Sequence, residues 1–148
     1  MKYTTEIVIE LPRKEVIELF NSAENMKKWQ KGFQSIEHLE GTPGEKGATS
    51  KLIYLMGKRR IEMIETITDQ QFPESFHCTY DTKGVYNVVK NYFREKDEHT
   101  TLWVSENEFQ FSGFMKIMSW IMPGAFKKQS CKYMEDFKAF AEKGVTVN

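Results

Sequence analysis

The chain has 148 residues, and its 21 lysines and arginines are balanced by 21 aspartates and glutamates. This zero net charge speaks against a general nucleic-acid-binding protein, which normally carries a basic excess. The N-terminus lacks the apolar core of a signal peptide, and no apolar run approaches the length of about 18 residues that a membrane-spanning helix needs, so the sequence predicts a cytoplasmic protein without a membrane span.

The N-terminal segment predicts one strand followed by two short helices. Residues 3–11 alternate between apolar and polar side chains, with the period of two that is typical of a half-buried strand. Pro12 suits the first turn of a helix, and the apolar residues between Val16 and Phe20 give that helix one buried face. A second short helix is expected from Ala23 or Glu24 to about Gln30.

The middle of the chain predicts six strands in hairpin succession. They are expected at residues 33–40, 49–56, 59–68, 75–81, 85–96 and 100–111. The connections are short and several contain glycine, so neighbouring strands are antiparallel. A row of antiparallel strands curls, and its concave face can be dry while its convex face is wet. The whole chain, residues 1–148, is therefore expected to form a single domain.

Residues 111–142 predict one long C-terminal helix that is interrupted near Pro123-Gly124. Its second half has an apolar stripe that one sheet face can cover. In residues 114–122 only Lys116 and Ser119 are polar, so the apolar arc is wider than a sheet needs. The surplus predicts a gate over a cavity, a homodimer seam or a patch that touches a membrane transiently. The sequence leaves these three open, and the protein is expected to be a monomer or a homodimer.

This order of elements, with several local stretches, resembles the START-like, helix-grip superfamily (SRPBCC), in particular its polyketide cyclase/dehydrase and lipid-transport branch. The stretches that carry the resemblance are residues 6–12 with Glu15-Val16, residues 24–29, the glycine turn 41–48, Glu65-Thr66, residues 84–87, and residues 122–129 with 137–139. The resemblance implies an α+β helix-grip fold, in which a curved seven-stranded antiparallel sheet wraps around a long C-terminal helix, with two short helices after strand 1. It also implies a deep cavity for apolar or amphipathic small molecules.

Metal and cysteine chemistry are not expected. The three histidines, His38, His77 and His99, do not form the two-His-one-carboxylate pattern of the oxygenase branch, so we expect neither a metal ion nor a cofactor. Cys78 and Cys131 are far apart in the sequence and predict reduced structural thiols. His77 falls on the opposite face of its strand from Cys78, which excludes that pair as a nucleophile and its base.

Glu65 is the candidate for chemistry. Strand alternation places it on the same face as Met63 and Ile67. A carboxyl group in such apolar surroundings has a raised pKa, and it could act as a general acid or base or hold a ligand hydroxyl. The alternative is a surface position in which Glu65 pairs with Arg59 or Arg60.

Other polar residues also face the predicted cavity. Asn87, Asn91, Ser105 and Asn107 could orient a ligand, or they could hydrogen-bond one another across adjacent strands. The full set of predicted ligand-binding residues is Met56, Met63, Glu65, Tyr80, Asn87, Asn91, Trp103, Ser105, Asn107, Met118 and Met122.

The sequence therefore predicts a protein that binds a small apolar or amphipathic molecule, lipid-, polyketide- or hormone-like, between the sheet and the C-terminal helix. One alternative is a cyclase/dehydratase-type enzyme, in which Glu65 or a nearby tyrosine moves protons on a polyketide-like substrate. The second alternative is a protein-interaction module of the chaperone co-activator type. Whether the protein catalyses a reaction stays open.

Overall fold

The computed structural model describes all 148 residues and has the predicted α+β helix-grip architecture. Its elements are β1 (Lys2–Ile9), α1 (Arg13–Phe20), α2 (Ala23–Trp29), β2 (Phe33–Glu40), β3 (Thr49–Met56), β4 (Arg59–Gln71), β5 (Ser75–Thr82), β6 (Val85–Asp97), β7 (Thr100–Phe111), α3 (Phe114–Ile121) and α4 (Ala125–Lys143). All seven predicted strands and both short helices are present. The first strand ends at Ile9, two residues earlier than predicted, and β4 extends past the predicted end at residue 68 to Gln71.

The strands form one antiparallel sheet in the order β1-β7-β6-β5-β4-β3-β2. Hairpins connect β2 to β7 in succession, while β1 returns to pair with β7 at the edge. Register shifts in β2, in β4 near Ile67 and at the end of β6 increase the local twist and bend the sheet. The bent sheet has an inner face, which is the face against which α4 packs.

The C-terminal segment is two helices rather than one long helix. Strand β7 continues to Phe111, and α3 begins only at Phe114. The interruption at Pro123-Gly124 is where it was predicted, because a proline ring cannot continue the helix that ends at Ile121. Gly144 directly follows the last residue of α4 and caps the helix. Its φ is 68°, and its backbone N–H donates a hydrogen bond to the Phe140 carbonyl, as is typical of a cap in the left-handed conformation. None of these helices is long and apolar enough to cross a bilayer.

Hydrogen bonds hold helix α4 along β1, and the helix runs parallel to that strand. At its start, Tyr3 donates a hydrogen bond to the Phe126 carbonyl at 3.1 Å and its hydroxyl lies 2.7 Å from Ser130 Oγ. Further along, Lys138 Nζ donates to the Val8 carbonyl at 2.6 Å. These contacts fix both the direction and the height of the helix above the sheet.

One end of the interior is filled by an aromatic cluster from both layers. Phe137 of α4 lies with its ring centroid 5.0 Å from that of Trp29 and 5.4 Å from that of Trp103. Phe20 and Phe93 complete the cluster at a centroid separation of 5.0 Å. Most of these pairs are edge-to-face, an arrangement worth about 0.5–1.5 kcal/mol per pair beyond the area that it buries. The cluster joins α1, α2, β6, β7 and α4 at this end.

The cluster predicts a large stability difference between two phenylalanine truncations. Phe137 is 0% exposed, so Phe137→Ala should lower the free energy of unfolding by about 3–5 kcal/mol. The matched control is Phe114→Ala on α3, where the ring is 70% exposed and the expected change is within about 0.5 kcal/mol. Urea denaturation followed by circular dichroism measures both. Equal losses in the two variants would show that the cluster does not hold α4 on the sheet.

Candidate functional site

The strand register gathers the predicted polar residues on the inner face. Ser50, Glu65, Tyr80, Asn87 and Phe109 are successive cross-strand partners from β3 to β7. Cross-strand partners in an antiparallel sheet point to the same side, so this row lies on one face. A polar row therefore crosses an otherwise apolar inner face.

A neighbouring part of the inner face carries the remaining amides. Asn107 is the cross-strand partner of Tyr3 and Val89. Asn91 faces Ser105, which in turn faces Thr5 on β1. The sheet thus brings the four predicted amide and hydroxyl residues of β6 and β7 into one group.

Glu65 is half-buried and lies beside Tyr80, its partner on β5. Burial raises the pKa of its carboxyl above the usual 4.5, and the interaction with the Tyr80 side chain offsets part of that rise. It has no cationic partner among the ion pairs, and Arg60 pairs instead with Glu62, at 3.2 Å. The sheet therefore holds a carboxyl group that has a raised pKa, no ion-pair partner and Tyr80 as its neighbour.

Three further ionisable groups lie close to Glu65. Burial raises the pKa of Tyr80 and of Tyr54 well above the usual 10.0, and Glu65 adds a smaller electrostatic contribution to each. Burial also raises the pKa of the Cys78 thiol, which is fully buried and free. All three groups are consequently neutral near neutral pH, so Tyr80 can donate a hydrogen bond at the point where Glu65 can accept one.

Several inward side chains of β4 and β5 are not fully covered by the protein. Ile61, Met63, Glu65 and Tyr80 point inward, yet each is only half-buried. Burial also raises the pKa values of Glu65 and Tyr80. The inner face is therefore incompletely covered by protein atoms at these four residues. We call this region, between those four residues and α4, the interior space.

Helix α4 supplies the opposite side through Tyr133. This residue is half-buried, and burial raises its pKa above 10.0. It is close enough to Tyr54 to contribute electrostatically to the raised pKa of that phenol. The Tyr54 hydroxyl itself donates a hydrogen bond to Gln30 Oε1 beyond the end of α2. Tyrosines from the sheet and from the helix therefore face each other.

The amide group of β6 and β7 is largely bonded within itself. Asn87 Nδ2 donates to Asn107 Oδ1 at 3.4 Å, and Asn107 Nδ2 donates to Ser105 Oγ at 3.1 Å. Trp103 Nε1 donates to Asn91 Oδ1 at 2.9 Å. The hydrogen bonds among these residues match the mutual bonding that the sequence offered as one of two alternatives. The hydroxyl of Thr5, opposite Ser105, is buried without a hydrogen-bond partner in the protein.

The other predicted residues are distributed over three places. Met56 packs, like Met63, against the small cluster of Phe33, Leu52 and Tyr54. Trp103 belongs to the aromatic cluster and is only 5% exposed. Met118 is half-buried on α3, and Met122 at the end of that helix is 52% exposed. The structure thus groups Met56, Met63, Glu65 and Tyr80 and places Met122 at the surface.

Sequence reasoning did not include Tyr54 and Tyr133 among the site residues. Alternation offered Leu52, Tyr54 and Met56 as the inward face of β3, but the other face is nearly as apolar, so the register stayed uncertain. The pairing of Tyr54 with Ile61 decides it. Tyr133 lies on the apolar stripe of the terminal helix, which was a usable signal for its inward position.

The raised pKa of Glu65 predicts a pH-dependent cost to stability. Well below pH 4.5 the Glu65 carboxyl is protonated in both the folded and the unfolded state. As pH rises, the carboxyl ionises in the unfolded chain before it ionises in the folded protein, so the free energy of unfolding falls. Glu65→Gln should therefore unfold at a higher urea concentration than the parent protein at neutral pH, and this advantage should vanish below pH 4.5. The control is Glu106→Gln, at an exposed position of β7. A pH-independent difference would contradict the burial of Glu65.

No protein-family model matches the chain, and no curated protein matches it. Solved structures do match. A conserved protein from Geobacillus kaustophilus aligns with a TM-score of 0.82 at 14% identity, over 97% of each chain. Zhui aromatase/cyclase from a Streptomyces species aligns with a TM-score of 0.76 at 10% identity, over 97% of this chain and 94% of that one. Ara h 8.0201 aligns with a TM-score of 0.72 at 14% identity, over 95% and 97%. The chain therefore has the same helix-grip fold as these proteins.

Proposed function

We propose that the protein binds a small amphipathic molecule in the interior space. The observation that carries the proposal is the pairing of Glu65 with Tyr80 among inward-facing apolar side chains that remain half-buried. Apolar walls with a few convergent polar groups and perturbed pKa values are the usual features of a small-molecule site.

The walls would supply affinity, and the polar pair would supply orientation. Removing apolar ligand surface from water contributes about 25 cal/mol per Å². Met56 and Met63 have unbranched, polarizable side chains that adapt to irregular ligands. The amide group of β6 and β7 has most of its hydrogen bonds already made, so the polar end of a ligand is expected at Glu65 and Tyr80 instead.

The chemistry of this pair favours a neutral, hydroxyl-bearing ligand. A ligand hydroxyl can donate to the Glu65 carboxylate and accept from the Tyr80 phenol at the same time. A ligand carboxylate would meet the Glu65 charge in a space with little water, and the repulsion would be costly unless one of the two groups is protonated. The proposed ligand class is thus an apolar alcohol or phenol rather than a free fatty acid.

A second candidate function is proton transfer on a bound carbonyl compound. The observation that favours it is that Glu65, whose pKa is raised, lies beside a phenol that stays neutral. Such a pair could remove a proton from the carbon next to a carbonyl group while Tyr80 donates a hydrogen bond to the oxygen. Zhui, one of the proteins with a similar fold, is described as an aromatase/cyclase. If this candidate is correct, the parent protein catalyses deuterium exchange at the acidic carbon of a β-diketone probe, and Glu65→Gln abolishes that catalysis. NMR measures the exchange.

Binding is tested with decanol and its charged counterpart, decanoate, by titration calorimetry. At neutral pH we expect decanol to bind the parent protein more tightly than decanoate. Met63→Trp, which fills the interior space, should weaken decanol binding by about tenfold or more. The matched control is Leu55→Trp, because Leu55 is 41% exposed and lies on the opposite face of β3.

A second variant tests the role of Glu65 in choosing the ligand. Glu65→Gln should reduce the preference for decanol over decanoate, because it removes the repulsion and leaves the apolar walls unchanged. Circular dichroism checks that each variant is folded. Equal effects of Met63→Trp and Leu55→Trp would overturn the proposal. It would also be overturned if native mass spectrometry found no bound compound in protein isolated from its own host and no complex with decanol.

A further inference from the structure

Helix α3 presents a large apolar surface to solvent. Its five exposed apolar side chains are Phe114 (70% exposed), Ile117 (57%), Trp120 (79%), Ile121 (67%) and, at the end of the helix, Met122 (52%). Phe114, Ile117 and Ile121 have the three- and four-residue spacing of a single helix face. Each such side chain would gain about 1.5–3 kcal/mol on removal from water, so the surface is adapted to contact another apolar phase.

The opposite face of α3 holds the helix on the protein. Met115 is half-buried against Gly84 in the turn between β5 and β6, where a Cβ atom on the glycine would approach the Met115 side chain to 2.9 Å. The Ser112 backbone N–H just before α3 donates to the Gly84 carbonyl at 3.0 Å. The glycine allows this close approach, and its φ of +79° suits no other residue well. The exposed face of α3 therefore lies on the side of the helix away from Gly84.

The charged residues of α3 and of the stretch of chain that flanks it, residues 109–134, have one sign. Residues 109–134 contain four lysines and no acidic residue, although the chain as a whole is neutral. Lys132 pairs with Asp136 at 2.8 Å. Lys116, Lys127 and Lys128 are exposed and take part in no ion pair. An apolar surface with unpaired lysines beside it complements a negatively charged apolar phase.

The same charges disfavour a second copy of the chain as the occupant. A symmetric dimer through α3 would bring two copies of the same lysine-flanked surface together and concentrate positive charge at one interface. Like charges facing each other across an interface are unfavourable. An anionic lipid surface offers the apolar phase and the opposite charge together.

A groove beside α3 connects this surface with the sheet. It has a volume of about 350 Å³ and lies between Trp120 and Lys116 on the helix and Phe109 and Phe111 on β7. Phe109 is the cross-strand partner of Asn87 in the row that includes Glu65 and Tyr80. The groove thus begins at the exposed helix and reaches the same face of the sheet as the interior space.

We propose that α3 and the turn after it dock on the surface of a lipid bilayer that contains anionic head groups. Phe114, Ile117, Trp120 and Ile121 enter the boundary between head groups and acyl chains, where tryptophan is favoured. Lys116, Lys127 and Lys128 contact the head groups from the edge of the patch. This docking does not depend on the proposed ligand, because it rests on the exposed helix and the charges around it.

The test uses the full chain with vesicles of phosphatidylcholine alone and of phosphatidylcholine with about one third phosphatidylserine. Flotation measures binding, and tryptophan emission reports insertion, because Trp120 is 79% exposed while Trp29 and Trp103 are each 5% exposed. We expect binding to the serine-lipid vesicles with a blue shift in emission. Ile121→Glu should weaken binding by about tenfold or more, and Lys127→Gln and Lys128→Gln by about fivefold each on these vesicles only.

Matched controls keep the test specific. Leu55→Glu changes an exposed leucine on β3, and Lys14→Gln changes an exposed lysine on α1, and neither should alter binding. Absence of parent-protein binding to the serine-lipid vesicles overturns the proposal. The proposal is also overturned if the protein binds both vesicle types equally and the lysine variants have no effect on binding. A blue shift that rises with protein concentration without vesicles, together with a doubled mass in light scattering, would assign the surface to a second copy and overturn it too.

Discussion

The structure depends on the contact between Phe137 of α4 and the two tryptophans Trp29 and Trp103. This contact joins the terminal helix, the second short helix and the sheet at one end of the molecule. Because these rings fill that end, α4 is held above the sheet at a height set by aromatic side chains. Toward β3 and β4 the inward residues form a separate, smaller cluster around Phe33, Leu52 and Tyr54, with Met63 and Tyr80 packed against it and only partly buried. The interior space is the region between this partly covered cluster and α4.

Two polar groups on the same face have different capacities for chemistry. The amides of Asn87 and Asn107 are bonded to each other and to neighbouring groups, so they stabilise the pairing of β6 with β7. Glu65 lies farther along the polar row, without an ion pair and with a raised pKa. A satisfied network makes a wall rigid, whereas a carboxyl beside a single neutral phenol keeps further lone pairs with which to accept a hydrogen bond from a ligand. Residue type and position within the sheet together separate the two roles.

The sequence predicted the elements better than their contacts. Alternation identified all seven strands and the inward direction of Glu65, because a strand with one buried face has a period of two. It could not predict that Asn87 bonds to Asn107, since that depends on which strands are neighbours and in what register. Nor could helical periodicity tell how α3 is oriented, because its apolar arc is too wide to mark one buried face. The inward position of Tyr54 follows from the pairing of β3 with β4, and the exposure of Met122 follows from the orientation of α3.

The way α4 is fastened also affects the edge of the sheet. Strand β1 is an edge strand, and its outward carbonyl at Val8 accepts a hydrogen bond from Lys138. Just beyond it, the backbone N–H of Glu10 donates to Glu142 at 2.8 Å. Backbone groups that would otherwise be free to template another strand are thereby occupied by side chains of the same molecule. The opposite edge, β2, displays Glu37, His38 and Glu40, and repeated carboxylates discourage strand addition there. Both edge strands of the sheet are in this way protected from edge-to-edge aggregation.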